Sequence, residues 1–239
     1  QIRLISIWIF IITFASLNLC LFISVNYHLL EGTIFTVDPI GRSGFTIPYI
    51  DGSVSISRTA RTFPAYLIFK PGMLITAILV IQYWRANNKL IQTINNDFSK
   101  KKYFLFFGVC SAVCLVIHSL LLGIHFEVDL YKFFRRFVLL AFIIFELVAQ
   151  ALLINSIIKI KNKISEMINK KILILKIFVV SILLVIGILS LPILASTGHV
   201  HFKHALEWNY FIGVIIFYLF TFLFWKKRDK TPVHTAGGV

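Results

Sequence analysis

Six apolar stretches, each long enough to cross a lipid bilayer, constrain the fold of this sequence more than any other feature. They run approximately over residues 4–27, 63–84, 103–125, 133–158, 172–195 and 208–225. A spanning helix needs about 20 apolar residues, and a backbone inside the bilayer must satisfy its own hydrogen bonds. The stretches lack the alternating pattern of a transmembrane β-barrel. The sequence therefore predicts an all-α fold, a polytopic membrane bundle of six transmembrane helices in a single domain over residues 1–230.

The composition excludes an ordinary soluble domain. Of the 239 residues, 58% are hydrophobic and 14% are charged, whereas about 25% are charged in a typical soluble domain. The apolar run from Leu4 to Tyr27 is longer than the apolar core of a signal peptide, about 7–15 residues, so we interpret it as a span. All three cysteines lie inside apolar stretches, and we expect neither a disulfide framework nor a thiolate metal site.

The distribution of Lys and Arg predicts the orientation of the bundle. Fifteen of these cations fall in the N-terminal residues, the second and fourth loops and the C-terminal tail, and seven fall on the opposite side. Cytoplasmic loops carry the excess of Lys and Arg, so both termini are predicted to be cytoplasmic. The net charge of +14 is then largely a topology signal, and we predict no nucleic-acid partner.

The first loop, over residues 28–62, is the only long segment predicted on the non-cytoplasmic side. Its Gly, Pro and Ser residues are typical of turns, and we expect it to fold over the outer mouth of the bundle. Residues 231–239 are predicted to form a disordered tail.

Polar residues at membrane depth are costly, so each is a candidate site or a structural contact. Glu146 and Gln150 are four residues apart on span four and share a helical face. His118 on span three and Lys70 on span two are the basic residues available to pair with Glu146. A buried structural pair and a substrate or proton role both stay open. A polar stripe on span three comprises Ser111, Cys114, His118 and His125.

The segment from Gly198 to Trp208 contains His201, His204 and Glu207, which share a face if a helix begins near His201. Histidines with a carboxylate can bind zinc, but the spacing differs from the His-x3-His of seven-helix membrane hydrolases. We favour an interfacial polar belt and predict no metal or other cofactor. These three residues are the candidates for a general acid or base. No Gly-x-Ser-x-Gly motif supplies a nucleophile.

The first loop also carries Asp51, Arg58 and Arg61 beside several serines. Arginines at an outer membrane surface suit a phosphate-bearing headgroup or a glycan, or they position the loop. We predict that Arg58 or Arg61 lies with the His201, His204 and Glu207 cluster around one outer cavity, in contact with Glu207.

Two groups of residues resemble the Frag/DRAM/Sfk family of six-helix membrane proteins, particularly its GPI-anchor lipid-remodelling branch. The first comprises Pro48-Tyr49-Ile50, Ser53, Ser55, Ile56, Ser57, Arg61, Pro64 and Tyr83-Trp84. The second comprises Ala205-Leu206-Glu207-Trp208 and the Phe-rich span that ends at Trp225. The outer loop lacks the cysteines of some members. The resemblance implies a protein of the Golgi, endoplasmic reticulum or plasma membrane that acts on or regulates lipids and lipid-anchored proteins. It supplies no catalytic residues.

The leading hypothesis is a membrane protein that handles or regulates lipids or GPI-type lipid-anchored proteins through a non-cytoplasmic cavity. The expected partners are membrane lipids, together with a lipid-anchored protein or a larger membrane partner. One alternative is a non-enzymatic helper subunit of a larger membrane complex. Another is a proton-coupled transporter that uses His118 and Glu146, although no inverted repeat supports it.

Overall fold

The computed structural model describes six stretches of the chain, without the side chains of three residues within them. The stretches are 1–30, 33–34, 46–94, 103–124, 129–196 and 198–226, and the three residues are Asp129, Lys132 and Ala195. Three predictions lie outside the described residues: the central part of the first loop, the tail over residues 231–239 and the position of His125.

The described residues form eight α-helices and no strand. These are α1 (Ile2–Val25), α2 (Pro48–Asp51), α3 (Ile56–Arg61), α4 (Tyr66–Ile94), α5 (Tyr103–Leu121), α6 (Asp129–Ile160), α7 (Lys170–Ala195) and α8 (Val200–Phe224). The six long helices are each apolar enough over a sufficient length to cross a membrane. The predicted all-α class with six spanning helices is confirmed.

One predicted span boundary was wrong by more than two turns, because helix α4 continues from Trp84 to Ile94. Helix α8 begins at Val200, so its first turns lie before the apolar stretch and include His201, as the shared face of the histidines required. Apolar runs mark the part of a helix inside hydrocarbon, whereas helical hydrogen bonding continues into polar sequence at the interface. The prediction therefore placed Arg85 and Lys89 in a loop, although both belong to α4.

The six long helices form a ring in which each packs on two neighbours. The order around the ring is α1, α4, α5, α6, α7 and α8, and α8 returns to α1. The backbones of helices α6 and α8 approach each other closely at few positions. Large aromatic side chains fill the interior, and Trp84, Trp208, Tyr83 and Phe217 are fully buried. The ring leaves space between α6 and α8 that helix packing alone does not fill.

The first loop contributes two short helices that the sequence did not predict. Residues 46–62, which we call the docked segment, contain α2 and α3. Helix α2 packs on α8, and α3 packs on α1. Pro48 begins α2, a position where its missing N–H costs nothing. Ser55 caps α3 by accepting a hydrogen bond from the Arg58 backbone N–H at 3.2 Å. The docked segment closes one end of the ring.

Candidate functional site

Two histidines of α8 bind the docked segment at one backbone carbonyl. His201 Nδ1 lies 3.3 Å and His204 Nδ1 lies 3.0 Å from the Gly52 oxygen. A carbonyl only accepts hydrogen bonds, so each ring must carry its proton on Nδ1 to donate. The Nε2 atom of a neutral ring is then left as a hydrogen-bond acceptor or base. The predicted histidine cluster therefore holds the loop while keeping one basic nitrogen on each ring.

The next turn of α8 makes two further contacts with the docked segment. Trp208 Nε1 donates to the Val54 oxygen at 2.8 Å, and Asn209 Nδ2 donates to the Tyr49 oxygen at 2.6 Å. The Tyr49 and Trp208 rings meet edge to face, with centroids 5.0 Å apart. Partial burial raises the pKa of the Tyr49 hydroxyl, although the hydrogen bond to Asn18 opposes this. Four side chains of α8 thus fix the docked segment through its backbone.

Glu207 faces the docked segment as well, but its contacts differ from those predicted. The backbone N–H groups of Ile56 and Ser57, at the start of α3, are close enough to act on its carboxylate. No ion pair joins it to Arg58 or Arg61 in the described part of the chain, so the predicted contact with these arginines was wrong. Rigid backbone amides bind a carboxylate without ordering a long side chain, which favours them over an arginine.

Arg58 is close enough to act electrostatically on His204, and Arg61 is close enough to interact with Arg58 and with a third arginine. Arg58 is exposed, Arg61 is half-buried, and Arg135 of α6 is close enough to act on Arg61 electrostatically. Burial lowers the pKa of Arg61, and the positive charges of Arg135 and Arg58 lower it further. Sequence reasoning counted Arg135 only as a loop cation. This end of the ring therefore concentrates positive charge.

Asp51, a predicted substrate-binding residue, uses its carboxylate within its own loop. It accepts hydrogen bonds from the backbone N–H of Ile47 at 3.1 Å and of Ser53 at 2.8 Å, and from the Thr46 hydroxyl at 3.0 Å. Slight burial alone would raise the pKa of Asp51, but these hydrogen bonds outweigh it and lower the pKa. Asp51 therefore stabilises the conformation of the docked segment.

A cavity of about 120 Å³ lies inside the ring, below the docked segment. Side chains of α1, α3, α4, α5, α6 and α8 line it, and most of them are apolar. Ser57, His118 and Glu207 line the end near the docked segment, and Glu146 and Tyr218 line the opposite end. Glu207 and Tyr218 are eleven residues apart on α8, about 16 Å along a helix axis. The residues that line the cavity thus span about half of a hydrocarbon core, which is about 30 Å thick.

Glu146 is 1% exposed and makes three hydrogen bonds at the deep end of the cavity. Ser111 Oγ donates to Oε2 at 2.6 Å, and Gln150 Nε2 donates to Oε1 at 3.1 Å. The Tyr218 hydroxyl also donates to Oε1. These donors come from α5, α6 and α8, so the carboxylate joins three helices.

The two basic partners predicted for Glu146 were wrong. His118 lies seven residues from Ser111 on α5, about 10 Å further along the helix axis. Its side chain is 6% exposed, and its Nδ1 has no hydrogen-bond partner among the described residues. Lys70 is half-buried near the start of α4, where its Nζ lies 5.4 Å from the Tyr66 ring centroid. Neutral hydroxyl and amide donors satisfy Glu146 instead.

Sequence reasoning missed Lys176, which is 0% exposed on α7. Its Nζ donates to Thr221 Oγ1 at 2.8 Å and lies 4.0 Å from the Phe217 ring centroid. The Tyr83 hydroxyl lies 3.1 Å from the same Thr221 oxygen, and the rings of Tyr83 and Tyr218 meet edge to face, with centroids 5.0 Å apart. The sequence did contain a signal for this residue. A lysine inside an apolar run indicates a buried polar contact, because charges at membrane depth are rare.

The described residues contain no group of three His, Cys, Asp or Glu side chains placed to hold a metal ion. The fold defines the class of the molecule, an integral multi-pass membrane protein. Comparison of the chain with protein-family models, with curated proteins and with solved structures finds no match.

Proposed function

We propose that this protein binds a membrane lipid by taking part of one acyl chain into the cavity, with the lipid headgroup at the docked segment. The observation that carries the proposal is the cavity itself. It is mostly apolar, it lies inside the ring of spanning helices, and its polar residues are concentrated at the two ends. Binding sites for small amphiphiles have this character, with an apolar wall and a few placed polar groups.

The docked segment supports a headgroup site at the end of the cavity that it covers. Ser57 and Glu207 line that end, and His204 lies one turn before Glu207 on α8. The Lys and Arg distribution predicts that this end is on the non-cytoplasmic side. The Frag/DRAM/Sfk resemblance points to the same chemistry, namely the handling of lipids or GPI-type anchors in an endomembrane or the plasma membrane.

A helper subunit of a larger membrane complex is the second candidate, and one observation favours it. Only 22% of the apolar window of α7 is buried, compared with 33% to 44% for the other five spanning helices. Such a face suits either lipid or another membrane helix. Proton-coupled transport through His118 and Glu146 has less support, because those two side chains make no hydrogen bond to each other in the described part of the chain.

Filling the cavity tests lipid binding. Met73 lines the cavity and is 3% exposed, whereas Ile75 on the same helix is 47% exposed and points away from the core. Met73→Trp should reduce binding of a fluorescent phospholipid in dodecyl-maltoside micelles by about tenfold or more, because the indole takes the place of the acyl chain. Ile75→Trp is the matched control and should bind as the parent protein does.

Thermal unfolding and size-exclusion profiles would establish that both variants are folded. If the folded Met73→Trp variant bound the phospholipid as tightly as Ile75→Trp does, the cavity would not be the binding site. The helper-subunit candidate would then be preferred.

A further inference from the structure

We propose that the cavity opens sideways into the bilayer, so that a two-chain phospholipid binds with one acyl chain partly inside the cavity and the other chain outside the bundle. The inference rests on the proposed function, because it names the class of lipid that the cavity admits. The opening, which we call the lateral gap, lies between α6 and α8 on the side of the docked segment. The residues of the lateral gap line the cavity and are partly exposed: Leu139, Phe142 and Ile143 of α6, and Glu207, Tyr210 and Phe211 of α8.

The first observation is that the wall of the cavity is exposed on one side only. Every lining residue of α1, α4 and α5 is buried. The partly exposed lining residues belong to α6, to α8 and to α3 of the docked segment. All these side chains face the same cavity, so the surface of the cavity itself does not account for the difference. The exposure of the α6 and α8 residues therefore marks the direction in which the cavity opens.

The second observation is that α7 closes the space between α6 and α8 at one depth and leaves it open nearer the docked segment. Leu183 of α7 forms a buried cluster with Leu147 of α6 and Val214 of α8. Leu140 lies seven residues before Leu147 on the same face of α6. It is 44% exposed, whereas Leu147 is 5% exposed. Seven residues cover about 10 Å along a helix axis, so the contact between these helices is lost within two turns.

The part of α7 beyond Leu183 packs on the bundle by a narrow face only. All eleven residues from Leu184 to Leu194 are described, eight of them are exposed, and Ser190 is the buried one. The Tyr210 hydroxyl of α8 donates to the Leu183 oxygen at 3.1 Å, which fixes α7 at the start of this part. Within a bilayer, acyl chains cover an apolar helix face of this kind. Here that face adjoins the lateral gap.

The lateral gap decides which lipids the cavity admits. The two chains of a phospholipid separate at the glycerol, next to the headgroup. A cavity of about 120 Å³ holds part of one chain, so an enclosed cavity would exclude a lipid with two. Through a lateral gap, one chain enters while the other stays in hydrocarbon and loses no favourable contact. The gap covers residues 139–143 of α6, about 6 Å along the helix axis.

The experiment compares a two-chain and a one-chain phospholipid that have the same headgroup. Native mass spectrometry would measure binding of dioleoyl phosphatidylcholine and of oleoyl lysophosphatidylcholine to the full chain in dodecyl-maltoside micelles, at equal mole fractions in the micelle. We expect the two affinities to agree within about threefold, because the second chain stays in the micelle. If the one-chain lipid bound at least about tenfold more tightly, the cavity would be enclosed and the lateral gap refuted.

Three tryptophan variants assign the effect to the lateral gap. Leu139→Trp places an indole in the gap, and it should weaken binding of the two-chain lipid about tenfold more than binding of the one-chain lipid. Met73→Trp fills the cavity from its buried wall and should weaken both lipids equally. Ile144→Trp is the matched control, because Ile144 is an exposed neighbour on α6 that does not line the cavity. Its binding of both lipids should equal that of the parent chain.

The outcomes separate this inference from the proposed function. If neither lipid bound the parent chain, the proposed function would be contradicted, and this inference with it. If Leu139→Trp weakened both lipids equally, as Met73→Trp should, Leu139 would be only a part of the cavity wall. The lateral gap would then be refuted while lipid binding stood. Size-exclusion profiles would establish that each variant is folded, and Ile143→Trp tests the same gap if Leu139→Trp does not fold.

Discussion

Substituting Gly52 with Ala tests whether the docked segment is held on α8 by the contacts described above. Gly52 has a φ of +57°, a conformation that L-residues rarely adopt. A Cβ at this position would lie 1.7 Å from the backbone oxygen of His201. The backbone fixes the position of the Cβ, and the His201 oxygen is itself a backbone atom, so no side-chain rotation relieves the overlap. The segment must move away from α8.

The size of the effect follows from the contacts that are lost. The left-handed conformation costs about 1–2 kcal/mol for a residue with a Cβ. Displacing the Gly52 carbonyl also breaks its hydrogen bonds with His201 and His204, which contribute about 0.5–1.5 kcal/mol each. The free energy of docking should therefore fall by about 2–5 kcal/mol. Since about 1.4 kcal/mol corresponds to a factor of ten, local opening should become at least about 30 times more frequent.

Hydrogen exchange measured by mass spectrometry on the protein in micelles would detect this opening. We expect faster exchange in the docked segment and in the first turns of α8, and unchanged exchange in α5 and in the middle of α6. Gly198→Ala is the matched control. Gly198 also has a positive φ, of +103°, but a Cβ there would meet nothing within 4 Å. It shares the conformational cost without the overlap. If both variants exchanged equally, the overlap at His201 would not control docking.

Two further predictions concern Lys176 and the orientation of the chain. Lys176→Met should leave the thermal unfolding temperature unchanged or raise it, because Lys176 has no carboxylate partner among the described residues and a buried ammonium then gains little against its desolvation. A fall of several degrees would show that the charge stabilises the bundle. In a background without the native cysteines, Ser196→Cys should react with a membrane-impermeant maleimide in sealed cells. Lys226→Cys should react only after permeabilisation, and labelling of both in sealed cells would contradict the orientation.

The spanning helices could be predicted because the bilayer leaves few alternatives for a long apolar run. The two short helices of the docked segment could not. Helix α2 has four residues and α3 has six, too short to be stable alone. Packing on α8 and α1 stabilises them, and such packing is not visible in local sequence. Pro48 and Ser55 are suitable start signals, but the same residues are equally common in loops.

The candidate site was predictable at the level of residue types but not of pairing. A carboxylate at the position of Glu146 must be buried with donors, and this could be anticipated from cost alone. Its hydrogen-bond donors could not be predicted, because they depend on how far α5, α6 and α8 are shifted relative to one another along the membrane normal. Charge complementarity favoured His118 as the partner of Glu146. The axial positions of the helices instead bring Ser111 and Tyr218 to the carboxylate. The interaction of Arg135 with Arg61 could not be predicted either, because Arg61 belongs to a loop that is distant in the sequence.

The bilayer also determines how such a cavity can discriminate between ligands. An acyl chain that leaves water for an apolar site gains about 0.8 kcal/mol per CH₂, but a chain that leaves a bilayer was already in hydrocarbon. Entry into the cavity therefore supplies little net hydrophobic free energy, and only differences in packing remain. Selectivity must come from the polar end of the cavity, which Ser57 of the docked segment and Glu207 of α8 line. It follows that Gly52→Ala, which displaces the docked segment, should weaken binding of phosphatidate more than binding of dioleoylglycerol. A loss of equal size for both lipids would place the selectivity in the wall of the cavity.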